Sequence, residues 1–242
     1  LPNLGGQTGL NLTSELYRKG ILQRHGVEVI GVQVEAIERG EDRIAFKETM
    51  SRLGIETPKS APATSVEEAE KIAADMGYPV VVRPAFTMGG TGGGIVYNLE
   101  ELRLVAARGI SASLIGQILI EESVIGWEEL ELEVVRDAKN QMITVCFIEN
   151  INPMGVHTGD SCCTAPMLTI SDELQKRLQE YAYKIVEAIE VIGGTNVQLA
   201  HNPETGRVVV IEINPRTSRS SALASKATGF PIALISSILA AG

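Results

Sequence analysis

The sequence predicts a mixed α/β (α+β) fold in three sections, residues 1–40, 41–116 and 117–242. Three observations lead there. In the first section a glycine loop, a helix and a short strand follow one another, like the tail of a doubly wound α/β unit. In the second, two helices precede a strand, a glycine loop, a strand and a helix, which make a small α+β unit. The third holds three strands, a long amphipathic helix and a closing hairpin.

Each element has its own signal. Leu10–His25 reads as a helix stopped by Gly26, and Val27-Glu28-Val29-Ile30-Gly31 as a short strand. A helix from Asp42 carries Ile44, Phe46, Met50 and Leu53 and ends at Gly54. Ser65-Val66-Glu67-Glu68 has the capping-box pattern and opens a helix that Gly77 closes. The strand Tyr78–Arg83 leads through a glycine loop to a strand around Ile95–Tyr97, and Asn98 caps the next helix. Gln117–Glu122, Glu129–Arg136 and Met142–Glu149 read as strands. From about Ser171 a helix places Leu174, Leu178, Tyr181, Ile185 and Ile189 on one stripe, with Gly193-Gly194 as its stop. Asn196–Ala200 and Val208–Asn214 form a hairpin around Asn202-Pro203-Glu204-Thr205-Gly206.

At 242 residues, 44% of them hydrophobic, the chain can bury a large core. A net charge of −9 without a long basic run disfavours nucleic acid and anionic membranes as partners. Isolated basic residues can still meet the phosphates of a nucleotide. Cys146, Cys162 and Cys163 form neither a disulfide framework nor a zinc spacing, so a reducing cytoplasm is the expected location. No apolar stretch is long enough to span a bilayer, and no signal-peptide pattern opens the chain. The opening Leu1-Pro2-Asn3-Leu4-Gly5-Gly6 reads as a strand end entering a glycine loop, as expected of a fragment whose preceding strands lie elsewhere.

The richest chemistry lies in Glu212-Ile213-Asn214-Pro215-Arg216. Residues two apart on a strand share a face, so Glu212 and Asn214 present a carboxylate and an amide oxygen together. That pair suits a hard cation such as Mg²⁺. Arg216 adds a forked donor for phosphate or carboxylate oxygens. An amphipathic strand whose polar residues face water has the same pattern. With the hairpin turn near Glu204, Gln198 falls almost opposite Val210, a diagonal neighbour of Glu212 and a third cation ligand. A one-residue slip would move Gln198 to the other face.

Thr87-Met88-Gly89-Gly90-Thr91-Gly92-Gly93-Gly94 has five glycines in the six positions 89–94, which suits neither a helix nor a strand interior. Its backbone N–H groups can close over an anion, and Arg83 points a cation into the same space. A surface hairpin without function is the alternative. Glu121-Glu122-Ser123-Val124-Ile125-Gly126-Trp127-Glu128-Glu129 could offer backbone groups to a base and an acid to ribose hydroxyls, or be a solvated acidic loop. In Gly155-Val156-His157-Thr158-Gly159-Asp160-Ser161, His157 could be an acid/base or a hydrogen-bonded loop residue. No GxSxG elbow accompanies it to suggest a hydrolase triad.

Together these stretches resemble the ATP-grasp fold, and closely the carbamoyl phosphate synthetase large-subunit family. The resemblance runs end to end through Gly5-Gly6-Gln7-Thr8, Arg83-Pro84-Ala85-Phe86-Thr87-Met88-Gly89-Gly90, His157-Thr158-Gly159-Asp160-Ser161 and Glu212-Ile213-Asn214-Pro215-Arg216. Ser218-Arg219-Ser220-Ser221 through Lys226 is similar to the N-terminal half of that subunit, which phosphorylates bicarbonate.

The resemblance implies an ATP-grasp fold in which residues 41–116 and 117–242 are the two α+β subdomains that hold the nucleotide, after a remnant of the preceding domain. It implies that Arg43, Arg83, Gly89 and Gly90 hold ATP phosphates, that Glu122 and Val124 meet adenine, and that Glu129 meets ribose. Gly155, Val156 and His157 would line the nucleotide site, with His157 also a catalytic candidate. Gln198, Glu212 and Asn214 would hold Mg²⁺ or Mn²⁺, two ions in all, with K⁺ as a further ion. Arg216 and Arg219 would sit by bicarbonate and carboxyphosphate. The implied partners are a glutaminase small subunit, which supplies ammonia, and the C-terminal half of the large subunit. The alternatives are an inactive nucleotide-binding fragment and another ATP-grasp ligase such as biotin carboxylase. Cys162-Cys163 departs from the family pattern and is expected to pack in the interior.

Overall fold

A computed structural model describes residues 1–84, 92–113, 115–155 and 161–242. Contacts divide the chain into a larger unit, Leu1–Thr57 with Gly126–Gly242, and a smaller one, Pro58–Ile125. Residues 41–57 therefore group with the larger unit and 117–125 with the smaller, so these breaks differ from the section limits expected at 40/41 and 116/117.

The larger unit opens with α1 (Gly6–Arg18) and α2 (Ile21–Arg24). The helix expected over Leu10–His25 is thus two helices and begins earlier, because Gly20, at φ +66°, takes a left-handed turn between them. Val27–Gly31 forms no strand; it finds no partner among the described residues, and a strand exists only through its ladder. Then come α3 (Val34–Glu41), absent from the sequence reading, and α4 (Arg43–Leu53). The helix expected from Asp42 is α4, and Asp42 caps it, its carboxylate accepting from Ile44 N at 2.9 Å and Ala45 N at 2.8 Å.

In the smaller unit, β1 (Ser60–Ala63), α5 (Val66–Met76), β2 (Val80–Pro84), β3 (Gly94–Val96), α6 (Leu99–Ala112) and β4 (Ile118–Glu122) follow in turn. The sheet order is β1-β4-β2-β3, all antiparallel. Ser65 and Asn98 cap α5 and α6 by accepting from the N–H three residues on. Glu68 reaches back to Thr64 N at 2.8 Å, completing the expected cap one residue further out. Val80, Val82, Ile118 and Ile120 form the core under Ala69, Ala73, Leu102 and Ala106.

The larger sheet contains β5 (Glu128–Arg136), β6 (Met142–Asn150), β7 (Cys163–Thr164), β8 (Gly193–Asn202) and β9 (Arg207–Asn214), in the antiparallel order β7-β6-β5-β8-β9. One face packs Leu130, Leu132 and Val134 against α7 (Asp172–Ile189) and the helices α3 and α4. Opposite, Val135, Cys146 and Ile148 lie under α8 (Arg219–Thr228) and α9 (Ile232–Ala241). Helix α7 stops at Glu190, a left-handed C-cap, and Gly193-Gly194 begin β8 instead of ending the helix. The reason is crowding: a Cβ on Gly194 would stand 2.7 Å from Ile232 Cγ2 on α9. Among the described residues no single helix is long and apolar enough to cross a membrane. Cys162 and Cys163 are exposed, correcting their expected burial, because β7 is the sheet's two-residue edge strand.

Candidate functional site

The face of the large sheet opposite α7 carries two polar rows across its strands. Glu131, Gln198 and Glu212 are successive cross-strand partners on β5, β8 and β9, and so are Glu133, Asn196 and Asn214. Gln198 therefore stands directly opposite Glu212, not opposite Val210. The ladder shifts between Gln198 and Leu199, which leaves Ile211 as an extra residue in β9. That bulge has a larger effect. By strict alternation Val208, Val210 and Glu212 would share a face; the extra residue lets Val208 and Val210 face the core while Glu212 turns to the polar side.

On that side Asn214 Nδ2 donates to Glu212 Oε1 at 3.0 Å, and Arg216 Nη2 donates to Asn214 Oδ1 at 3.1 Å. Arg216 Nε also reaches Gln7 Oε1 at 3.3 Å, and Gln7 Nε2 donates to Glu41 at 2.8 Å. The Gly5-Gly6-Gln7-Thr8 motif thus reaches the site through its glutamine. Desolvation pushes the Glu41 carboxyl above its ordinary pKa and Glu212 adds to this; the Gln7 hydrogen bond and Arg216 draw it back. The arginine loop is tied down along its length. Arg216 N donates to Asn214 O at 2.7 Å, while Thr217 N and Oγ1 both donate to Asn3 O, at 2.9 and 3.0 Å. Arg219, exposed, opens α8 behind a reciprocal Ser218–Ser221 capping box.

The same face carries three buried acids on its central strand. Glu129, Glu131 and Glu133, alternate residues of β5, are all buried, and Glu133 is 0% exposed. Asn196 Nδ2 donates to Glu131 at 2.8 Å and to Glu133 at 2.9 Å, Asn150 donates to Glu131 at 3.0 Å, and Ser221 Oγ donates to Glu133 at 2.8 Å. Burial pushes the Glu133 carboxyl up to about 7, against the pull of those hydrogen bonds and Arg216, while the Glu131 charge adds to the rise.

The donor set of Gln198, Glu212 and Asn214 is one carboxylate and two amides, all oxygen donors on one face, which fits a hard divalent cation. Among the described residues no group of three or more His, Cys, Asp or Glu could hold a metal. Arg43 is the first residue of α4 and Gly155 is exposed, both in the larger unit. In the smaller unit Arg83 pairs with Glu121 at 2.9 Å. Glu122 spends its N–H on Lys59 O at 2.7 Å inside the sheet. Val124 lies just beyond β4. The glycine loop at Gly89 and Gly90, together with Val156 and His157, lies outside the described residues.

Sequence reasoning brought Gln198, Glu212, Asn214 and Arg216 together but missed Glu41, Glu131, Glu133, Asn196 and Ser221. A signal for the acids was present: Glu129, Glu131 and Glu133 alternate with Leu130 and Leu132, which puts the three acids on one face of the strand. For Ser221 only the α8 packing reveals the contact.

The carbamoyl phosphate synthase large chain of Archaeoglobus fulgidus is 58% identical over all of this chain, which covers 23% of that protein. That of Thermus thermophilus is 56% identical with 24% covered, and the N-terminal section from Aquifex aeolicus 54% identical with 44% covered. The chain thus spans less than half the length of these relatives. Among solved structures, biotin carboxylase of Campylobacter jejuni, in a β,γ-ATP complex, matches with a TM-score of 0.79 at 22% identity, over 95% of this chain and 52% of that one. The biotin carboxylase domain of Hydrogenobacter thermophilus 2-oxoglutarate carboxylase, with MgADP and bicarbonate, gives 0.76 at 23%, over 96% and 52%. These likenesses show the ATP-grasp fold. The family model for the carbamoyl-phosphate synthase L chain, ATP binding domain, matches residues 42–242, and the chain belongs to that family.

Proposed function

We propose that this chain carries the site at which a carbamoyl phosphate synthase large chain uses ATP and Mg²⁺ to phosphorylate bicarbonate to carboxyphosphate. The observation that carries the reading is the Gln198–Glu212–Asn214 face with Arg216 hydrogen-bonded to it. Gln198, Glu212 and Asn214 hold Mg²⁺, for which Mn²⁺ can stand in, with two ions in all and K⁺ as a further ion. When bound, the divalent ion offsets negative charge on the phosphoryl oxygens. Arg43, Arg83, Gly89 and Gly90 hold phosphates; Glu122 and Val124 meet adenine, Glu129 ribose, and Gly155, Val156 and His157 line the nucleotide.

Arg216, held by Asn214 and Gln7, presents a fixed guanidinium to bicarbonate, and Arg219 supplies a second cation. Bicarbonate oxygen attacks the γ-phosphoryl group in line, displacing ADP, so catalysis is positioning and charge stabilisation without a protein nucleophile. Carboxyphosphate is labile, which calls for exclusion of water until ammonia arrives. The ammonia comes from a glutaminase partner, and the C-terminal half of the large chain completes the synthesis, in the cytoplasm. The test is ADP release with and without bicarbonate. The reading expects bicarbonate to stimulate release; ATP binding with no stimulation contradicts it and leaves a nucleotide-binding module.

A further inference from the structure

One buried acid has no part in the mechanism above. Glu133 is fully buried, and among the described residues two neutral donors, Asn196 Nδ2 and Ser221 Oγ, hydrogen-bond its carboxylate, with the Arg216 charge acting on it without a hydrogen bond. A carboxylate buried with only neutral donors is costly, and the same sheet face is filled by Val135, Cys146 and Ile148 a few ångströms along. Apolar packing was therefore available at this site, so the acid must supply something packing does not. Its link to Ser221 shows what. The Ser221 hydroxyl donates to Glu133 at 2.8 Å and accepts from Ser218 N at 2.9 Å, so it is committed on both sides. Arg219 lies between those two serines, in the first turn of α8. At the other end of the loop Thr217 is pinned to Asn3 O, and Asn196, the second partner of Glu133, stands opposite Asn214.

We propose that Glu133 is a positioning residue: through Ser221 it fixes the first turn of α8, and with it Arg219, against the sheet that carries Asn214 and Arg216. This rests on the reading that Arg219 sits beside bicarbonate. Glu133 touches no substrate; it sets where the arginine stands. The groups around it are Glu131 on its own strand, Cys146 on β6, Asn196 on β8, Arg216 beyond β9 and Ser221 on α8.

The test is steady-state ADP release with bicarbonate varied at saturating ATP, then ATP varied at saturating bicarbonate. Ser221→Ala cuts the link and should raise the bicarbonate KM roughly tenfold while the ATP KM stays within about twofold. Ser221→Thr keeps the hydroxyl and should return the bicarbonate KM to within about threefold of the parent. Glu133→Met removes the acceptor but leaves the capping box, and carries the same expectation should Ser221→Ala not fold. A folded Ser221→Ala or Glu133→Met protein with an unchanged bicarbonate KM overturns the proposal, as does a parallel rise in both KM values that tracks a fall in Tm. Arg219→Ala separates the two levels. If it leaves the bicarbonate KM unchanged, the placement of Arg219 fails and the positioning role falls with it. If Arg219→Ala raises that KM and the other variants do not, only the positioning role is overturned.

Discussion

Replacing Glu133 by glutamine should change how stability depends on pH, and the sign follows from the carboxyl's surroundings. Burial raises its pKa from 4.5 to about 7, so between those values the folded protein holds a proton that the unfolded chain has released. Stability is then lost as pH rises from about 4.5 through about 7 and is level above. At about 1.4 kcal/mol per pH unit the full cost is roughly 3 kcal/mol, of which about 2 kcal/mol falls between pH 5 and pH 8. Glu133→Gln has no charge to bury and is free of this loss. The other titrating groups are common to both proteins, and Cys146, whose thiol burial and the Glu133 charge push up to about 11, stays neutral from pH 5 to pH 8. Urea unfolding of both proteins at pH 5 and pH 8 measures it. The stability of the variant relative to the parent should be about 2 kcal/mol more favourable at pH 8 than at pH 5. A difference that does not change with pH, or that moves against the variant at pH 8, refutes the argument and makes Glu133 an acid that stays ionised.

Three further outcomes are expected. Glu212→Ala removes the only carboxylate of the cation set and should lower Mg²⁺-dependent ADP release by roughly a hundredfold or more, with far-ultraviolet circular dichroism unchanged. Gly194→Ala places a methyl group 2.7 Å from Ile232 Cγ2 and should destabilise the chain by about 1–3 kcal/mol in urea unfolding. Asp42→Ala frees the N–H groups of Ile44 and Ala45 and should cost about 1 kcal/mol by the same measurement.

Much of the fold was legible because local signals and tertiary structure agree. Ser65 and Asn98 cap the helices they were expected to cap, and the helices expected from Asp42 and from about Ser171 begin there, with those residues as caps. Other features depend on contacts far away in sequence. Gly193-Gly194 reads as a helix stop, yet the glycines are needed for the close approach of α9, some forty residues on. The pairing of Gln198 with Glu212 depends on a bulge at Ile211, which a run of β-branched residues does not announce. Alternation gives Glu212 and Asn214 a shared face, but without the bulge that face would be the core side. Gln7 stood in a recognised motif, but its bond to Arg216 spans 209 positions and belongs to the fold.

The central claim is that an oxygen of bicarbonate attacks the γ-phosphoryl group of ATP. Labelling bicarbonate with ¹⁸O, supplying ammonia, and reading the mass of the phosphate released tests it directly. If carboxyphosphate forms, the bridging oxygen stays on phosphorus when ammonia attacks carbon, and the phosphate carries one ¹⁸O from bicarbonate. Phosphate whose new oxygen comes only from solvent would mean that water is the nucleophile, and the account of this site would be wrong.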